Sequence, residues 1–74
     1  MVSIDAVATG LRIAELRDTA GLTNNDIVDA LGFTTRNAIY KWFSGKSLPT
    51  IDNLVLLADL FNVTIDGIVV TKRV

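Results

Sequence analysis

The sequence predicts an all-α fold, a compact bundle of five short helices. Three observations carry this expectation. Apolar residues recur three and four positions apart in five separate runs, the period of one helix face. A threonine opens four of these runs and a glycine closes the first two, residue types that satisfy exposed helix ends. Only Gly32 to Thr35 separate the second run from the third, a junction short enough to force a sharp crossing.

The first predicted helix runs from Ser3 to Ala20. Val7, Leu11 and Ala14 give its inner stripe, widened by Ile13 and Leu16. Ser3 is the expected cap, and Gly21 stands where a left-handed C-terminal cap belongs. Thr23 opens the second helix, with Asp26 suited to the positive end of its dipole. Ile27, Val28 and Leu31 form its stripe and Gly32 ends it. Thr35 is the expected N-cap of a third helix over 36–43. There Ile39 and Trp42 face inward, while Arg36, Asn37, Tyr40 and Lys41 face outward. A loop, 44–47, follows.

Thr50 caps a fourth helix over 51–61, with Leu54, Leu57, Ala58 and Phe61 inside. Leu56 and Leu60 fall on nearly the opposite face, so this helix is expected to be buried twice or buried once and paired once. Thr64 opens a last short helix holding Ile65 and Ile68. The tail, 69–74, is β-prone and carries two cations; strand, dimer arm and frayed end are all open for it.

Composition bounds the function. Seventy-four residues leave room for one domain, taken here as 1–74. No cysteine means no disulfide and no thiolate metal site, and no histidine removes the usual general base. A hydrolytic triad in its ordinary form is excluded, and neither an enzyme, a cofactor nor a metal is expected. No signal peptide and no membrane-length apolar run is present, so a soluble cytoplasmic protein is expected. Half of the residues are apolar, more than so small a core needs, which points to a partner surface.

The charge is unevenly placed. The chain carries a net charge of −1, yet residues 30–51 hold Arg36, Lys41 and Lys46 and no acid. The field at a surface depends on where charge sits rather than on its sum. Each cation alone reads as a solvated surface residue. Their gathering on the exposed side of one short helix, beside Tyr40, Trp42 and Phe43, is what calls for an anionic partner.

These residues resemble the Cro/repressor-type helix-turn-helix family of small bacterial and phage DNA-binding domains, the lambda repressor-like fold. LRIAELRDTAGLT resembles the family's first helix, TNNDIVDALGF its second, and NAIYKWFSGKSLPTIDNLVLLADLFNVTIDGIVV the remainder. The spacing Trp42-x-x-Gly45-Lys46-x-x-Pro49, followed by Leu54, Leu57-Ala58 and Phe61-x-Val63, is the most specific part, and the likeness covers about 8–70. Three positions depart from the pattern. Asn24 stands where the family often has Gln. The GFTTRN turn is one residue longer than the commonest form. Phe43 stands where a Glu often pairs with the arginine of helix one, so Arg17 needs another partner, for which its neighbour Asp18 looks poorly placed.

The resemblance implies a recognition helix that enters a DNA major groove. Arg36, Asn37 and Lys41 then take base-reading positions, bordered by Tyr40. Arg pairs with guanine O6 and N7, and Asn with adenine N6 and N7. Thr23, Asn24, Thr35, Ser44 and Lys46 fall where phosphate contacts are expected. Trp42 reads as an anchor behind the helix. The expected function is a sequence-specific transcriptional regulator, a repressor binding double-stranded DNA at a palindromic operator as a homodimer. Leu56, Leu60, Val69 and Val70 are the expected dimer or partner surface, unless the N-terminal segment or the tail covers them. The alternative is a protein-interaction module on the same fold, antitoxin- or antirepressor-like, with a protein partner instead of DNA.

Overall fold

A computed structural model of the chain describes residues 1–32 and 36–74. The elements run β1 (Val2–Ile4), α1 (Ala6–Thr19), α2 (Asn24–Leu31), α3 (Asn37–Phe43), α4 (Ile51–Phe61), a 3-10 turn (Ile65–Gly67) and β2 (Thr71–Arg73). Among the described residues, four α-helices therefore stand where five were expected. The fifth run is a single 3-10 turn; Thr64 makes no side-chain cap there, and Ile68 follows the turn as a fully buried anchor.

The tail resolves as a strand. β1 and β2 pair antiparallel, Val2 opposite Arg73, Ser3 opposite Lys72 and Ile4 opposite Thr71. This overturns Ser3 as the cap of α1, because Ser3 lies inside the strand. Asp5 caps instead, its carboxylate accepting from the Ala8 N–H at 3.0 Å. The β-branched residues Val2 and Ile4 flank Ser3 in a pairing with a partner some seventy positions away, which local spacing does not reveal.

α1 keeps Ile13 and Leu16 of the expected stripe on the core side, but the face turns toward Thr9 and Gly10 and away from Val7 and Leu11. Val7 and Leu11 are each 57% exposed, and the buried residues are Thr9, Gly10 and Ile13. Thr9 and Gly10 carry almost no hydropathic signal, so the bulky residues one face over dominate the pattern. Each has a physical reason to be inside. A Cβ at Gly10 would overlap the Trp42 carbonyl oxygen and stand 3.2 Å from Phe43 Cα, so only glycine lets α1 and α3 touch backbone to backbone. The Thr9 hydroxyl accepts from the Val70 N–H at 2.9 Å and reaches the Val70 carbonyl at 3.4 Å. With the Asp5 N–H donating to the same carbonyl at 2.8 Å, the tail is tied to the start of α1.

The other helices follow the expected stripes. Thr23 and Asp26 form a reciprocal capping box at α2, 3.1 and 2.8 Å. Gly32 ends α2 at φ +73°, a conformation that disfavours any side chain. Thr50 caps α4 through the Asn53 N–H. Ile13, Ile27, Ile39, Trp42, Leu57, Phe61 and Ile68 make the core, one or two from each α-helix and Ile68 from just after the 3-10 turn. No helix among the described residues is long and apolar enough to cross a membrane.

Candidate nucleic-acid interface

α3 is held from behind. Ile39 and Trp42 are three residues apart and point into the core, Ile39 fully and Trp42 to 4% exposure. Seven residues make only two turns, so this anchoring leaves one face outward. Arg36, Asn37, Tyr40 and Lys41 all lie on it and are exposed. Tyr40 is 47% exposed and so does not fold back across the helix.

The loop after α3 extends the same face. Gly45 turns at φ +76°, and its N–H donates to the Trp42 carbonyl at 3.1 Å. The Lys41 carbonyl then accepts from the Ser44 hydroxyl at 3.1 Å, the Lys46 N–H at 2.9 Å and the Ser47 N–H at 3.4 Å. These bonds satisfy the last carbonyls of α3 and fold the loop onto its end. The result is an open concavity of about 410 Å³ lined by Asn37, Tyr40, Lys41, Ser44 and Lys46. Five of the residues expected to meet DNA thus share one surface. Two cations and no carboxylate line it, so the concavity suits an anion bordered by hydrogen-bonding groups.

Thr23 and Asn24 sit at the start of α2, where helix-end N–H groups point outward. The Thr23 hydroxyl is engaged by the Asp26 N–H, so Thr23 caps the helix first. Asn24 is half-buried, and its Oδ1 accepts from Arg17 Nη1 at 2.7 Å. Thr35, expected as the N-cap of α3 and as a phosphate contact, lies outside the described residues. So do residues 33 and 34 of the GFTTRN turn.

Arg17 corrects a further expectation. Its neighbour Asp18 does serve as partner: Arg17 Nε and Nη2 both lie 3.0 Å from Asp18 Oδ1. The guanidinium also covers the Phe43 ring, 5.1 Å from its centroid. An arginine at the end of α1 therefore joins the start of α2 and the end of α3 without the usual glutamate. The absence of a Glu at position 43 was the available signal; that Asn24 would help to replace it was not legible.

Of the residues expected at a dimer or partner surface, Leu56 is 43% exposed. Leu60 is half-buried and packs against the core. Val69 and Val70 are half-buried, with the Val70 backbone committed to Thr9 and Asp5. The exposed apolar residues of α4 are Ile51, Val55 and Leu56, the first two absent from the expectation.

Comparison with known proteins agrees with this architecture. A helix-turn-helix family profile matches residues 13–68. The chain is 36% identical over 55 residues to the HTH-type transcriptional activator BcrR of Enterococcus faecalis. That alignment covers 74% of this chain and 26% of the relative, so the chain spans about a quarter of that protein's length. Among solved structures, the restriction-modification controller protein C.AhdI from Aeromonas hydrophila shares the fold, with a TM-score of 0.76 and 23% identity. The match covers 86% of this chain and 96% of that one. The chain belongs to the helix-turn-helix family.

Proposed function

We propose that this helix-turn-helix protein is a DNA-binding transcription regulator, a repressor that occupies a palindromic operator as a homodimer. The observation that carries the reading is the single outward surface of α3 and its loop, where Asn37, Tyr40, Lys41, Ser44 and Lys46 converge with Arg36 beside them. A helix with an N-terminal Arg-Asn pair has the donors that read guanine and adenine edges. Lys46 and Ser44, at the opposite rim, fit phosphates. Thr23, Asn24 and Thr35 belong to the phosphate side. The relative named an activator leaves the family's sign of regulation open; repression is proposed as the simplest consequence of occupying a promoter.

Two copies fit the reading because one short helix reads few base pairs. Two-fold related α3 helices would span half-sites about one helical turn apart. The exposed part of α4, with Leu56 at its centre, supports a second copy, and Leu60, Val69 and Val70 would lie beneath or beside it. The chain is taken as a single binding domain without catalytic activity, cofactor or metal, working in the cytoplasm.

The test is selection from a random duplex pool with the purified chain, then titration of the enriched site across a salt series. A palindromic site and a log–log salt slope near −5, from about three phosphate-bound cations per subunit, are the expected outcome. No enrichment at low salt would sink the reading. A second reading, a protein-interaction module, draws on the same apolar residues of α4 and the acidic sequence pI of about 5.0. Replacing Arg36 and Lys41 by Ala separates the two. Loss of function selects DNA; loss only after Leu56 and Leu60 are made polar selects a protein partner or dimerisation.

A further inference from the structure

We infer that Arg17 is a positioning residue for the DNA backbone contact, holding the Asn24 side-chain amide with its NH2 group turned outward to a phosphate. The inference rests on the DNA-binding reading above. It starts from the hydrogen-bonding inventory. A guanidinium only donates, so the atom of Asn24 that meets Arg17 Nη1 at 2.7 Å must be the amide oxygen. The orientation of the amide is thereby fixed by chemistry. Its nitrogen, with two donors, has no acceptor among the described residues.

Arg17 itself is spent inside the protein. All three guanidinium nitrogens have partners, two on Asp18 and one on Asn24, and the flat face covers Phe43. Its side chain is 23% exposed. Asp18 offsets its charge. Arg17 is thus built to hold Asn24, and the outward donor is the neutral amide. The Thr23 hydroxyl beside it is already committed to the helix cap. A freely rotating asparagine would lose rotamer entropy on meeting a phosphate; a held one has lost it on folding. Phe43 closes α3, so one side chain also registers the start of α2 against the end of the recognition helix.

The experiment is a binding cycle on the duplex that the wild-type chain enriches, using Arg17→Met, Arg17→Lys, Asn24→Ala and the doubles. Methionine keeps an apolar stem against Phe43 without the charge; lysine keeps the charge without the planar fork. Asn24→Ala is expected to weaken binding about fivefold, and each Arg17 variant by a similar factor. Each double should bind no more weakly than Asn24→Ala alone. The salt slope should stay unchanged in Arg17→Met, because no phosphate-bound cation is lost. Thermal unfolding verifies that each variant is folded, and Arg17→Lys carries the cycle where Arg17→Met does not fold.

Losses that add in the double variants would mean that Arg17 acts on the fold as a whole, and would overturn the inference. So would a slope smaller by about one per subunit, which would make Arg17 a phosphate ligand. Wild-type chain that enriches no duplex overturns the DNA-binding reading and this inference with it; either of the other two results overturns the inference alone.

Discussion

Arg36 and Lys46 carry the same charge on the same side of the molecule, and the proposed DNA contact gives them different, measurable tasks. Arg36 precedes α3 and is exposed beside Asn37, where the proposed bidentate contact would read one base. Arg36→Ala should cost about 1–3 kcal/mol at the cognate site and relax the preference at one base pair. Lys46 sits in the loop, with its backbone held by the Lys41 carbonyl. Lys46→Ala should weaken cognate and random duplexes alike and lower the salt slope by about one per subunit. Titration of cognate, single-mismatch and random duplexes distinguishes these outcomes. Gly10 acts at the same scale without touching a ligand. A methyl group there meets the backbone of Trp42 and Phe43, neither of which can rotate away. Gly10→Ala should therefore destabilise the fold by about 1–3 kcal/mol, read as a lower urea midpoint.

At the scale of elements, the terminal strands show how a buried polar group can organise a small fold. Thr9 is fully buried, and its hydroxyl pairs with the Val70 N–H. Thr9→Val keeps the shape and strands that N–H. It should cost about 1–3 kcal/mol and speed amide exchange in β1 and β2 before α3 and α4 are affected. Hydrogen exchange followed by residue tests this. The same residue explains what the sequence conceals. α2 and α4 were legible because cap and apolar spacing agree, Thr23 with Ile27 and Thr50 with Leu57 and Phe61, and α3 from the spacing of Ile39 and Trp42. The outward surface of α3 followed from those anchors. α1 misled in part: Ile13 is buried as its spacing says, but the other two buried residues are a threonine and a glycine, held by the distant Val70 backbone and by a helix contact. The sheet was hidden because Val2–Ile4 and Thr71–Arg73 make sense only together. The Arg17–Asn24 bond belongs to the same class, a polar contact between two helices that neither helix announces.

At the scale of the whole molecule, the proposed dimer and the proposed DNA contact should respond to salt in opposite directions. The outward face of α4 carries Ile51, Val55 and Leu56, and interleaved with them at positions one and four apart are the exposed acids Asp52 and Asp59. A two-fold interface brings the same surface of each copy together, so these acids approach their own counterparts. Apolar burial favours the pairing and like-charge repulsion opposes it. Salt screens the repulsion within about 8 Å at physiological strength and leaves the apolar term in place. Self-association measured by sedimentation should therefore tighten from low to moderate salt, while operator binding by a preformed dimer weakens by counterion release. Asp59→Asn should tighten the dimer by about twofold or more at low salt and lose that advantage at high salt. Val55→Lys should leave a folded monomer that binds a half-site weakly. A dimer indifferent to both changes would place the subunit contact elsewhere on the molecule. Equal salt trends for self-association and DNA binding would have the same consequence, because a face bearing unneutralised acids cannot be the one that salt pulls apart.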